Sequence, residues 1–181
     1  MWLFLYTCYA LITVTGVLLT AAVVQGFAGI QVLGAAHPAF GFFTTIVFLL
    51  TQTAVIFFFV TTGVSVRDFV RERGLGPDLI QRSRRAHGPV SGQATLSLLL
   101  IMGTAVSGGA AAAAAIPRWL HLAVAAVTYA HFVMLVAMQH RAFRTQTAIV
   151  VQMAELVRSS ADEASEGQDG DDDDGAGAEQ Q

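Results

Sequence analysis

The sequence predicts an all-α integral membrane protein that crosses the bilayer four times. Apolar residues make up 54% of the 181 positions, which is more than a water-soluble domain of this size normally contains. The first charged side chain is Arg67, so more than a third of the chain precedes any charge and is suited to lipid. These two observations exclude an ordinary soluble fold. They favour one transmembrane domain that comprises residues 1–158.

Four apolar segments of sufficient length divide this domain. The predicted spans are residues 2–24, 40–66, 89–115 and 119–139. The first rises about 34 Å as a helix, enough for a hydrocarbon core of about 30 Å. The second is long enough to cross once with tilt. In the third, Gly103, Ser107 and Ala111 recur at every fourth position, a pattern typical of closely packed membrane helices.

The polar segments are also distinctive. Residues 67–88 contain six Arg, and we predict a loop there because Gly74 and Pro77 disfavour a continuous helix. Residues 141–158 have near-helical apolar spacing, which predicts an amphipathic helix that prolongs the fourth span. Residues 159–181 contain mostly Gly, Ala, Ser, Gln and acidic residues, so we expect a disordered acidic tail.

The distribution of Arg predicts the orientation in the membrane. The 67–88 segment and the region after the fourth span are Arg-rich, whereas Arg118 is the one basic residue expected on the other side. The positive-inside rule therefore places both termini in the cytoplasm. The chain has no Lys and is rich in Ala and Gly, which suggests a bacterial source and hence the plasma (inner) membrane.

Recognisable catalytic signatures are missing from the sequence. It contains no HExxH, GxSxG, P-loop or paired CxxC motif, so an enzyme is not expected. No carboxylate lies within a span, which disfavours a proton pump or cation-coupled carrier. The single cysteine, Cys8, excludes an intrachain disulfide.

Five histidines are the candidate chemical groups. The predicted topology places His37 and His121 near the outer surface, and His87 and His140 near the inner surface. Because neutral imidazole is a good axial ligand for haem iron, each pair is a candidate site for haem b. The alternative is that these four are ordinary interfacial side chains. His121 and His140 would point about 100° apart around one helix, which is unfavourable for two stacked haems.

The fifth histidine, His131, lies near the middle of the membrane. Its ring nitrogens need partners there because lipid supplies none. Gln52 of the second span and Thr13 or Thr15 of the first lie at similar depth, so we predict an interhelical hydrogen-bond cluster of His131, Gln52 and Thr13. A ligand site at His131 is the alternative.

Three functions are compatible with these patterns. The first is a non-catalytic membrane subunit or scaffold that lies in the lipid bilayer and interacts with other membrane subunits or a second copy of itself. The alternative is a membrane redox protein, or the anchor of a respiratory complex, that binds haem b through the layered histidines. The second alternative is a small transporter. None of the three involves nucleic acid.

Overall fold

The computed structural model describes residues 2–32 and 34–169, which form four helices. The helices are α1 (Trp2–Ala28), α2 (His37–Glu72), α3 (Asp78–Ala112) and α4 (Arg118–Asp169). Each contains a stretch that is long and apolar enough to cross a membrane. The prediction of an all-helical, multi-pass membrane protein is therefore confirmed.

The helices are arranged as a bundle in chain order. Each helix packs against its neighbours in sequence, and α4 closes the ring by packing against α1. Across the centre, α2 also contacts α4, whereas among the described residues no Cα atom of α1 lies within 8 Å of one in α3. Side chains on α2 and α4 can therefore meet in the middle of the bundle.

The Arg-rich segment is mostly helical instead of the expected loop over 67–88. α2 continues to Glu72 and α3 begins at Asp78. Gly74 adopts a φ of 61°, which is a conformation that glycine tolerates best. The N–H of Leu75 then donates to the carbonyl oxygen of Val70 at 3.0 Å, as in a Schellman motif. The chain reverses in this short turn over 73–77.

Tertiary packing explains why α3 begins eleven residues before the expected start at residue 89. Leu79 belongs to an apolar cluster with Val66 and Ile149. One turn later, the Ser83 hydroxyl donates to Gln146 Oε1 at 3.1 Å. These contacts with α2 and α4 stabilise helix over a segment that is polar in sequence. Pro89 therefore lies inside α3 and does not begin it.

The fourth helix is much longer than a bilayer requires. Its 52 residues extend about 78 Å, against about 30 Å for the hydrocarbon core. The segment 141–158 continues the fourth span as a helix, and helix persists to Asp169, into the region expected to be a disordered tail. The tail residues 170–181 lie outside the described residues.

The end of α4 packs with the α2–α3 hairpin beyond the predicted membrane region, and we call this assembly the stalk (67–72, 78–88 and 141–162). Arg82 Nη1 donates to Gln152 Oε1 at 3.0 Å. Farther out, Arg73 Nη1 donates to Ser160 Oγ at 3.2 Å. The stalk lies at the same end of the bundle as the N-terminus, because Tyr9 of α1 contacts His140 of α4.

Polar pairs connect the helices inside the membrane region. Their side chains are buried or partly buried, and they link α1 to α2, α3 to α4, and α2 to α4. The pairs are Thr15 with Thr51 (2.7 Å), Thr104 with Thr128 (2.7 Å), and Gln139 with Gln52 (2.8 Å). Such bonds contribute roughly 0.6 to 2 kcal/mol each in membranes, and they also define the register of the helices.

Candidate functional site

Two of the predicted histidines meet at the end of the bundle opposite the stalk. His37 is the first residue of α2, and His121 lies in the first turn of α4. Their ring centroids are 6.0 Å apart, with an interplanar angle of 63°. Two imidazoles on opposite sides of one metal ion have ring centres about 6 Å apart when each nitrogen lies about 2 Å from the metal. The centroid separation of the outer pair is therefore close to that of two imidazoles that bind one metal ion.

A glycine faces each of these two rings. A Cβ atom on Gly26 of α1 would lie 3.2 Å from His37 Cε1. A Cβ atom on Gly108 of α3 would lie 3.0 Å from His121 Cε1. Both separations are tighter than ordinary carbon contacts. The two histidines lie on the opposite helices α2 and α4, and the two glycines lie on α1 and α3. Each ring occupies a position that a side chain on the facing helix would obstruct.

The two rings line a cavity of about 580 Å³. Its walls are largely apolar or small, with Leu19, Ile101 and Ala125 among the lining residues. Ligand pockets commonly have volumes of about 300 to 1,000 Å³ and carry few polar groups. The outer pair therefore adjoins space suited to an apolar ligand.

The hydrogen bonds of His121 determine which of its nitrogens is available. Ser107 donates its hydroxyl hydrogen to the Thr104 carbonyl oxygen at 3.0 Å. The same hydroxyl oxygen lies 3.2 Å from His121 Nδ1. When the hydroxyl hydrogen points to Thr104, Nδ1 is the donor, and in that tautomer of the neutral ring the lone pair lies on Nε2. This is the arrangement that metal-binding histidines use.

Two further polar atoms in the cavity region are buried without a hydrogen bond to the described residues. They are His37 Nδ1 and Gln25 Oε1. The Gln25 amide is held in place because its Nε2 donates to the Ala35 carbonyl oxygen at 2.8 Å. His37 thus has no hydrogen bond that would occupy either ring nitrogen in the described structure, and it remains able to bind a ligand.

The number of protein ligands limits which metal group fits the site. Among the described residues no cluster of three or more His, Cys, Asp or Glu side chains is placed to hold a metal ion. A structural zinc site takes four protein ligands and a catalytic one three. A metal in a macrocycle that supplies its own equatorial nitrogens needs only two axial ligands. The outer pair matches the second requirement.

The predicted inner pair is arranged differently. The His87 ring stacks on Phe59, with centroids 6.3 Å apart. His140 Nδ1 lies 3.0 Å from the Tyr9 hydroxyl. Phe143 contacts both Phe59 and Tyr9, so aromatic rings link the two histidines. Neither His87 nor His140 lines the outer cavity.

The residues of the predicted mid-membrane cluster bond to other partners. His131 Nε2 lies 3.0 Å from Gln93 Oε1. Gln52 accepts a hydrogen bond from Gln139. Thr13 donates to the backbone oxygen of Tyr9, one turn earlier in its own helix. His131 and Gln52 therefore each make an interhelical bond of the expected kind, but the structure does not bring the three together.

Comparison with known protein families, curated proteins and solved structures finds no match. The functional interpretation therefore depends on the geometry of the outer pair, its glycines and its cavity.

The tautomer of His121 is directly measurable. With histidine labelled by ¹⁵N, we expect the His121 signals to show Nδ1–H with an unprotonated Nε2 at neutral pH. Ser107→Ala removes the acceptor, so the ring should lose this preference and populate both tautomers. Ser65→Ala is the matched control because Ser65 is exposed and bonds only within its own helix. An unchanged tautomer ratio in Ser107→Ala would contradict the assignment.

Proposed function

We propose that this protein is a membrane redox protein that binds one b-type haem between His37 and His121. The observation that carries the proposal is the 6.0 Å separation of the two rings beside an apolar cavity. The glycine opposite each ring supports it, because the missing side chains allow the two imidazoles to take up these positions beside the cavity. The inner pair is not included, since aromatic side chains surround it.

Each residue of the site has a defined role in this proposal. The haem supplies one-electron chemistry when bound. His37 and His121 would hold the haem iron through ring nitrogens, and Ser107 would orient the His121 ring through its contact with Nδ1. Gly26 and Gly108 allow the rings to approach, while the apolar walls exclude water. Axial ligation and a low-polarity surrounding are two means by which proteins determine a haem potential.

An absorption spectrum tests this function directly. The protein purified after expression with ample haem should show a Soret band and, after reduction with dithionite, a sharp α band. His37→Ala and His121→Ala should each abolish the six-coordinate spectrum, since each removes one axial ligand. His131→Ala and His140→Ala should preserve it. A colourless wild-type protein, or loss of the spectrum only in the last two variants, would refute the proposal.

A second glycine of α3 provides a matched control for the space requirement. Gly108→Ala should reduce haem occupancy severalfold because its methyl group would displace the His121 ring. Gly92→Ala adds the same methyl group to α3 at an exposed position where no atom lies within 4 Å, so occupancy should remain at the wild-type level. Equal occupancy in the two variants would contradict the role of Gly108.

We further propose that both termini and the stalk face the cytoplasm of a bacterial inner membrane. Nine of the ten Arg lie in or beside the stalk, and Arg118 lies at the opposite end of the bundle. In a Cys8→Ala background, Ala115→Cys should react with an impermeant maleimide on intact cells. Gly76→Cys, in the α2–α3 turn, should react only after permeabilisation. The reverse pattern would invert the proposed topology.

A role as a membrane subunit or scaffold is the second candidate, and the stalk favours it. The nine Arg in and beside the stalk are all exposed, and Leu75, Val151 and Val157 expose apolar surface at the same end. Such a surface is suited to an acidic partner protein. Affinity purification in mild detergent should recover a stoichiometric partner, and replacement of Arg71 and Arg73 by Gln should release it. A purified protein that is monomeric and redox-active alone would contradict this role.

A further inference from the structure

We infer that Arg118 is the carboxylate anchor of the outer site, so that the ligand is a tetrapyrrole bound with its acidic edge toward the outer end of the bundle. This inference rests on the proposed haem function. It specifies which part of the ligand the protein recognises and how the bound ligand is oriented. It assigns a binding role to the one basic side chain that lies away from the stalk.

The position of Arg118 is defined by the same turn of α1 that accommodates His37. Its Nη2 donates to the backbone oxygen of Gly26 at 2.6 Å. Gly26 is also the residue whose missing side chain admits the His37 ring. Arg118 therefore reaches from the start of α4 across to α1, and it lines the cavity beside both histidines.

The remaining hydrogen-bonding capacity of Arg118 is large. A guanidinium has five N–H donors, and the bond to Gly26 uses one of them. The side chain is exposed at the end of the bundle where apolar helices give way to the short 113–117 turn. Carboxylates are the preferred partners of such a group because they accept two parallel hydrogen bonds.

Charge balance leads to the same ligand class. Among the described residues, the outer cavity is lined by Arg118 and by no Asp or Glu. An anionic group on a bound ligand would therefore meet a positive charge and no negative charge at this end of the cavity. A haem with two propionates is apolar over most of its ring and anionic at one edge. That edge matches Arg118, and the opposite edge matches the apolar wall near Leu19 and Ile101.

The test compares two iron porphyrins that differ only at the carboxylates. Haem and its dimethyl ester are titrated into haem-free full-length wild type, Arg118→Gln, Arg118→Lys and Arg144→Gln, with binding followed by absorbance. Wild type should bind haem roughly tenfold more tightly than the ester, which is the effect expected of a charge-assisted hydrogen bond. Arg118→Gln should lose this preference, and Arg118→Lys should restore part of it. Arg144→Gln, at the stalk end, should retain the wild-type preference.

The midpoint potential provides a second readout that a purely structural role would not change. Removal of a positive charge beside the haem favours the oxidised state, so Arg118→Gln should lower the potential while the bis-histidine spectrum persists. If wild type and Arg118→Gln discriminate equally between haem and ester, the anchor is refuted although the haem function stands. If wild type binds neither porphyrin, the haem function and the anchor both fail.

Discussion

Lipid supplies no hydrogen-bond partners, so polar side chains at membrane depth must be satisfied between helices, and the rest of the bundle depends on this constraint. Apolar packing alone defines helix height weakly, because a neighbouring helix and a lipid tail offer similar surfaces. The Thr15–Thr51 bond determines how α1 lies against α2. The Thr104–Thr128 bond does the same for α3 and α4. A slip of one turn, about 5.4 Å, would break both.

The candidate site is a consequence of this register. Ser107 lies one turn from Thr104 in α3, and the same alignment that pairs Thr104 with Thr128 brings Ser107 to His121. It also brings Gly108 against the His121 ring. Across the bundle, the contact between α2 and α4 places His37 opposite His121. The register that these hydrogen bonds define therefore also positions Ser107 against the His121 ring.

Sequence patterns placed His37 and His121 correctly at one height, and they predicted side-chain faces poorly. In an antiparallel hairpin, residues at equal distances from the turn lie at equal heights. Ser107 and His121 are equally far from residue 114, in the α3–α4 turn, so their contact could have been read from the sequence. His87 and His140 also share a height by this rule, but they turn toward Phe59 and Tyr9. The face that a helix turns toward its neighbour depends on the packing of the whole bundle, and the sequence of one segment does not determine it.

The part of the stalk over residues 78–88 was predicted as a loop for the same reason. Residues 78–88 are polar and precede Pro89, and they become helical because Leu79 and Ser83 find partners on other helices. The glycines were equally hard to interpret, since a glycine in a membrane helix is common. The role of Gly108 is apparent only in the structure, where it faces the His121 ring.

The contrast between the two ends of the bundle explains why histidine alone does not make a site. Gly63 faces the His87 ring, as Gly26 and Gly108 face theirs. At the inner end, however, Phe59 and Phe143 stack at 5.0 Å and fill the adjoining volume. At the outer end a cavity remains beside His37 and His121. The outer pair is therefore the candidate site, because a cavity adjoins it whereas aromatic rings adjoin the inner pair.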